Sequence, residues 1–261
     1  MIVNTRRLFA RLLPVLRVSA ICDVGSMDGA DALMFRGVLH RARIYAFEPN
    51  PENFRLMQAN TALREHDIRL LPYAATNYDG EAEFFLVEAD STPNCLWRGR
   101  SSLYRRSGRE GSAKSVEVRT TRLDTFLVDR LPGDARLALW IDTEGKAYEV
   151  IEGARDVAAQ VCLLHVEMES KPVISPDQKL HPEVRALLDE LGFVELATDQ
   201  AQSTAQFNAL FVRRGLPASV RLHVSAWLAL FGVRRRIGAV ILAICPACMR
   251  RLQLLRSPDR S

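Results

Sequence analysis

From residue 18 onward one rhythm governs the chain: a short apolar run, a glycine-bearing turn, a stretch of helical periodicity, then another apolar run. Residues 18–24 form an apolar run that ends in Asp23-Val24-Gly25, and their length and β-branched content predict a strand buried on both faces. A helix is expected over 30–40 and a second strand over 43–47. Pro51-Glu52 then opens a helix reaching about residue 64, Pro suiting a first turn and Glu the positive helix end. Residues 68–75 predict a third strand. Repeated strand, turn, helix and strand means βαβ units, so the fold class is α/β with a mostly parallel sheet.

Between 80 and 121 the rhythm breaks. Residues 81–87 and 116–121 read as strands, and the polar stretch between them holds Pro93, Gly99, Gly108 and Gly111, long enough for a functional or mobile loop. The pattern resumes with a buried strand over 137–141, a Gly145 turn and a helix to about 153. A strand over 161–168, a helix over 181–191 closed by Gly192 and a strand over 193–197 follow. Another strand at 208–212 comes too soon for a crossover helix, so the last two strands must be antiparallel neighbours.

Charge divides the chain where the rhythm does. Residues 213–261 hold ten Arg against one Asp and residues 1–17 hold four Arg and no acid, which leaves −9 on the middle of a chain whose total is +4. We expect a basic amphipathic N-terminal helix (1–17), a body (18–214) and a basic, apolar, helical C-terminal extension (215–261). An acidic body speaks against nucleic acid, while the basic ends suit an anionic membrane surface and, for the C-terminal helices, equally packing on the acidic body or on a partner subunit. The longest uncharged run near the C-terminus, 237–249, falls short of the roughly 20 residues a spanning helix needs. Five cysteines, an odd number, fit a reducing compartment, so the expected location is cytoplasmic, at most at the inner membrane face. Cys245 and Cys248 have the spacing of half a zinc site without the other half, and read as free thiols.

Three constellations carry chemistry. The first is Asp23-Val-Gly25-Ser26-Met27-Asp28-Gly29 with Glu48 at the end of the next strand. Glycines there let a nucleotide-like ligand approach the backbone, and the later acid can accept from both ribose hydroxyls. Asp23 and Asp28 would repel phosphates, so a ligand with a ribose and a cationic centre fits best, namely S-adenosylmethionine. An ordinary turn would also satisfy the glycines. The second is Ile141-Asp142-Thr143-Glu144-Gly145, whose acids lie by the pocket mouth or serve as helix-start acids. The third is His165-Val-Glu167-Met-Glu169, whose polar side chains share one strand face. His165 is expected to act as general base, with Asp142, Glu144 and Glu167 orienting it or the substrate.

Asp23-Val-Gly, Tyr45-Ala-Phe-Glu48-Pro-Asn-Pro-Glu-Asn-Phe54, Ser101-Ser-Leu103, Thr120-Thr-Arg-Leu-Asp124 and Ile141-Asp-Thr-Glu-Gly145 with Glu149-Val-Ile-Glu-Gly153 stand in the order of a known family. The chain resembles the FkbM-type S-adenosylmethionine-dependent methyltransferases over about residues 20–213. The resemblance implies a Rossmann-like methyltransferase fold, mostly parallel with a terminal antiparallel hairpin. It also implies methyl transfer to an oxygen of a sugar, glycan or natural product, so a small-molecule or glycan acceptor. The implied cofactor set is Asp23, Gly25, Ser26, Gly29, Glu48, Pro49 and Ala74. Ser26-Met27 and Lys146-Ala147-Tyr148 depart from the family pattern. No resident metal is expected, although magnesium on Asp142 and a second carboxylate is an alternative way to acidify a hydroxyl. A nicotinamide-dinucleotide oxidoreductase and a non-catalytic membrane adaptor are the competing functions.

Overall fold

The computed structural model describes residues 4–87, 95–106, 114–199 and 204–216, with 218, 220–222, 224 and 225 at the start of a further helix. Helix α1 (Thr5–Val15) leads into strand β1 (Ala20–Val24), helix α2 (Ala30–Val38) and strand β2 (Arg43–Phe47). Helices α3 (Pro51–Ala59) and α4 (Thr61–Glu65) follow, then strands β3 (Ile68–Leu71), β4 (Tyr73–Ala75), β5 (Gly80–Leu86) and β6 (Lys114–Thr121). Helix α5 (Leu123–Leu127), strand β7 (Leu137–Ile141), helix α6 (Ala147–Glu152), strand β8 (Val161–Glu169), helix α7 (His181–Glu190) and strands β9 (Phe193–Thr198) and β10 (Gln206–Arg213) complete the described body.

The main sheet has the order β3-β2-β1-β7-β8-β10-β9. Strand β10 is inserted antiparallel between β8 and β9, and the other pairings are parallel. The terminal antiparallel pair expected from the short connection is present. Successive strands run outward from β1 on one side and from β7 on the other, so the topological switch point lies between their carboxyl ends. Ligands of open α/β sheets bind in the crevice that such a reversal opens.

Both faces of this sheet are covered, as its five-residue apolar strands require. One apolar layer joins Cys22, Val24, Leu139, Ile141 and Val166 to α5, α6 and α7. The opposite layer joins Ile21, Ala138, Trp140, Leu163 and Leu210 to α1 and α2. Cys22 and Cys162 are buried free thiols.

Three expectations are corrected. The strand over 68–75 is two strands, because Pro72 has no N–H to donate; β4 leaves the main sheet and pairs with β6 in a second sheet, β4-β6-β5. The helix over 51–64 is also two, since Asn60 adopts an extended conformation and its side chain accepts from Ala62 N at 3.1 Å, capping α4. The expected N-terminal amphipathic helix is present as α1, but its apolar side meets the body and not a membrane. Leu8, Phe9, Leu12 and Leu13 of α1 are fully buried on β8, β10 and α2, which leaves that helix no apolar face for a membrane.

The expected extension over 215–261 lies outside the described residues except at its start, where Val224 is buried in the α1 layer. Cys245 and Cys248 lie outside them too. Among the described residues no helix is long and apolar enough to cross a membrane.

Candidate active site

At the switch point β1 and β7 are held so close that residue 25 has no room for a side chain. A Cβ there would lie 1.7 Å from the Asp142 carbonyl oxygen, and Gly25 has φ +85°. The glycine turn thus lets the chain leave β1 against the start of the Asp142 loop. Met27 takes φ +54°, and its N–H donates to Glu48 Oε2 at 2.7 Å. Glu48 Oε1 accepts from Asn50 N at 2.8 Å and Asn53 Nδ2 at 3.4 Å. Burial pushes the Glu48 carboxyl up to about 7 against the pull of these donors. Oε1 thus has both lone-pair directions taken, while Oε2 retains a second one for a ligand.

Asp23 lies behind this turn with 1% of its surface exposed. Its Oδ2 accepts from Ser26 Oγ at 2.6 Å, while Oδ1 has no partner. Burial raises its pKa to about 8, Ser26 opposing and Asp31, Asp142 and Glu48 adding to the rise. Both carboxyls hold protons in the native state that the unfolded chain, with ordinary values near 4, has released. Where the native state binds more protons, stability falls as pH rises. The ligand-free protein is therefore expected to lose thermal stability steadily from about pH 4 to about pH 8. A denaturation midpoint rising over that window would refute the assignment.

A cavity opens beside the turn. Gly25, Glu48, Pro49, Ala74 and Asp142 line it, as the sequence led us to expect. Asp23, Ser26 and Gly29 do not: Asp23 and Ser26 are buried on each other behind the turn, and Gly29 starts α2 at φ +79° with the Leu63 side chain packed where a Cβ would stand. Sequence reasoning missed Arg98, Gly99, Tyr73, Phe84 and Lys146 as further walls. Tyr73 and Phe84 arrive through the second sheet, whose pairing could not be read in advance. Ser101 and Leu103, also lining, were legible only as part of the family resemblance. Lys146 stood out as a departure from the family pattern. Its Nζ bonds Glu149 Oε1 at 2.8 Å and sits 3.7 Å from the Tyr104 ring centroid, and Tyr104 Oη donates to the same carboxylate.

Asp142 opens a row of acids. Carboxylate oxygens of Asp142, Glu144 and Glu167 lie within 4.8 Å of one another, with Glu169 further along β8. Gln206 Nε2 donates to Glu144, Glu167 and Glu169 at 3.3, 3.1 and 3.3 Å, and the buried Arg106 guanidinium pairs with Glu144. Asp142 keeps solvent contact yet lies deep among protein atoms. Withdrawal from bulk water, then Glu144, raises its carboxyl to about 6. The same withdrawal, with Asp142 and Glu144 opposite, drives Glu167 well above the ordinary range.

His165 must be moved out of the site. The period-2 reading places it correctly on the face of Glu167 and Glu169, but α1 covers that part of the face. His165 is 2% exposed, its ring stacked on Trp140 at 3.6 Å, edge-on to Phe9 and 3.2 Å from Thr5 Oγ1 through Nε2. Burial, with Arg6 adding to it, lowers its pKa to about 3, so it stays neutral. A base so enclosed reaches no acceptor. We expect His165→Asn to lower the unfolding midpoint through lost packing and to leave the pH profile of turnover unchanged. A lost limb in that profile would restore its catalytic role.

Comparison with known proteins agrees with this geometry. Residues 23–195 match the family described as "Methyltransferase FkbM domain". The 2-O-methyltransferase NoeI of Sinorhizobium fredii is 24% identical over 182 residues, 67% of this chain and 72% of that protein. The methyltransferase sdnD of Sordaria araneosa is 25% identical over 217 residues, 74% and 81% of the two chains. A solved rRNA methylase from Streptococcus thermophilus aligns over 82% of this chain and 98% of its own, with a TM-score of 0.45 and 11% identity. With the family's match covering most of the body, the oxidoreductase alternative falls away, and the chain belongs to the FkbM-type methyltransferases, enzymes dependent on S-adenosylmethionine.

Proposed function

We propose that the protein methylates a hydroxyl of a sugar, glycan or related natural product, with Asp142 as the proton acceptor. The observation that carries this reading is Asp142 itself, which lines the Gly25 and Glu48 cavity and also begins the row of acids. The relative described as a 2-O-methyltransferase supports oxygen as the accepting atom.

The residues fit S-adenosylmethionine. Glu48 lines the cavity and offers the free lone pair of Oε2 to a ribose hydroxyl. When bound, the cofactor supplies an electrophilic methyl group on a sulfonium. In-line displacement then asks the protein to align an acceptor oxygen and remove one proton. An acid with a pKa near 6 is suited to accept a proton near neutral pH. Glu167, which keeps its proton, hydrogen-bonds Asp142, Glu144 is held by Gln206 and Arg106, and the two orient the acceptor's remaining hydroxyls.

Carboxylates this close invite a divalent cation, yet two of the three already accept from Arg106 and Gln206. We therefore read the step as metal-independent. Chelation with EDTA is expected to leave turnover unchanged, whereas loss of activity restored by magnesium would give Asp142, Glu144 and Glu167 a cation to hold.

Calorimetric titration with S-adenosylhomocysteine tests the cofactor assignment, and mass spectrometry of a glycan panel incubated with S-adenosylmethionine tests the acceptor. Glu48→Ala removes charge-assisted hydrogen bonds worth on the order of 1.5–3 kcal/mol. The cofactor dissociation constant is expected to rise roughly tenfold or more. An unchanged constant would separate Glu48 from the ribose.

A further inference from the structure

At the opposite edge of the sheet, where the parallel strands begin, a second recess lies between residues 133–136, 159–162 and 213–216. Arg136 immediately precedes β7 and Arg213 ends the antiparallel β10, so the topology brings two guanidiniums to one place. Arg213 Nε donates to the Val161 carbonyl at 2.8 Å and its Cζ lies 4.7 Å from the Phe193 ring centroid, but its Nη2 is buried without a partner. Arg136 Nε is likewise buried and unpartnered. Both groups act on the Cys162 thiol, pulling down a pKa that burial raises to about 11. Gln160, in the same recess, has an unpaired buried Oε1.

Among the described residues neither Arg136 nor Arg213 meets a carboxylate. Asp134 is on the rim and exposed, and Asp189 is taken by Arg214. The rest of the chain offers little help, for residues 217–261 hold a single acid, Asp259. Two partly buried guanidiniums line one recess, each with a buried N–H group that has no partner among the described residues, and an anion would satisfy both. Guanidinium forks match phosphate oxygens, and the Gln160 amide can serve a protonated oxygen or a charged one according to its orientation.

We propose that this recess binds a phosphate group through Arg136, Arg213 and Gln160. It lies at the end of the sheet remote from the methyltransferase cavity, so occupancy leaves Glu48 and Asp142 accessible. The phosphate comes either from a free phosphorylated compound or from an anionic lipid headgroup, to which the basic residues beyond 216 would add attraction.

The test uses the full chain. Inorganic phosphate is expected to raise the unfolding temperature saturably, and chloride at equal ionic strength is not. Arg136→Gln is expected to weaken phosphate binding roughly tenfold or more. Its main chain is pinned by Ser19, whose Oγ accepts from Arg136 N at 3.0 Å, so the phosphate-free protein should melt as before. Arg213→Gln provides a second variant. In the lipid arm, phosphatidylcholine vesicles with and without phosphatidylglycerol are compared. Binding that phosphate competes away and Arg136→Gln abolishes identifies a headgroup, while phosphate binding without vesicle binding identifies a soluble compound. A chloride effect equal to that of phosphate, or an unaltered response in Arg136→Gln, overturns the proposal.

Discussion

Asp142→Asn is expected to lower turnover by roughly 100-fold or more, the usual contribution of a positioned general base, while the affinity for S-adenosylhomocysteine changes little. The substitution keeps shape and removes only proton affinity. It should also remove the acidic limb of the rate profile, which wild-type protein is expected to show near pH 6, the value to which Asp142 is raised. Below that pH the carboxyl is protonated and accepts nothing, so activity rises as pH rises through it. Full activity in the asparagine variant would transfer the role elsewhere, and a fall shared equally by turnover and cofactor affinity would make Asp142 a binding group.

Gly25→Ala is expected to cost the most stability. Positive φ at a residue with a Cβ carries about 1–3 kcal/mol, and overpacking against a backbone carbonyl adds another 1–3 kcal/mol or so. With the new Cβ placed 1.7 Å from the Asp142 oxygen, β1 and β7 must separate. Single domains have only about 5–15 kcal/mol in hand. The urea midpoint should drop sharply, and protein that still folds should bind cofactor poorly, since the same displacement moves the Glu48 loop. A midpoint equal to wild type would show that the two strand ends are not in contact.

Much of this could be read before any coordinates. Strands β2 and β7 were placed to the residue, because a short apolar run bounded by polar residues has few ways to be buried on both faces. Breaks at Pro72 and Asn60 were harder, since an apolar pattern continues across a point where one backbone group changes the pairing. At the site, Gly25, Glu48 and Asp142 line the cavity because each sits at a strand end whose position the βαβ rhythm prescribes, whereas Pro49 and Ala74 were legible only through the family resemblance. His165 was misplaced for a different reason. Strand periodicity tells which face a side chain takes, whereas what covers that face depends on a partner far away in sequence. Helix α1 is that partner, and its stripe of Leu and Phe would look the same whether built for lipid, for another subunit or for its own sheet.

Thr5 reaches Asp199 across 194 residues of sequence and His165 across 160. During synthesis the first helix emerges long before the strands that receive it, and at about 5–20 residues per second it waits on the order of ten seconds for its seat. Until then Leu8, Phe9, Leu12 and Leu13 face water, and the half of the sheet already formed lacks its cover. This part of the core can close only once β8 and β10 have been made. The helix that seals His165 is thus made well before the strands it packs on and can be placed only after them.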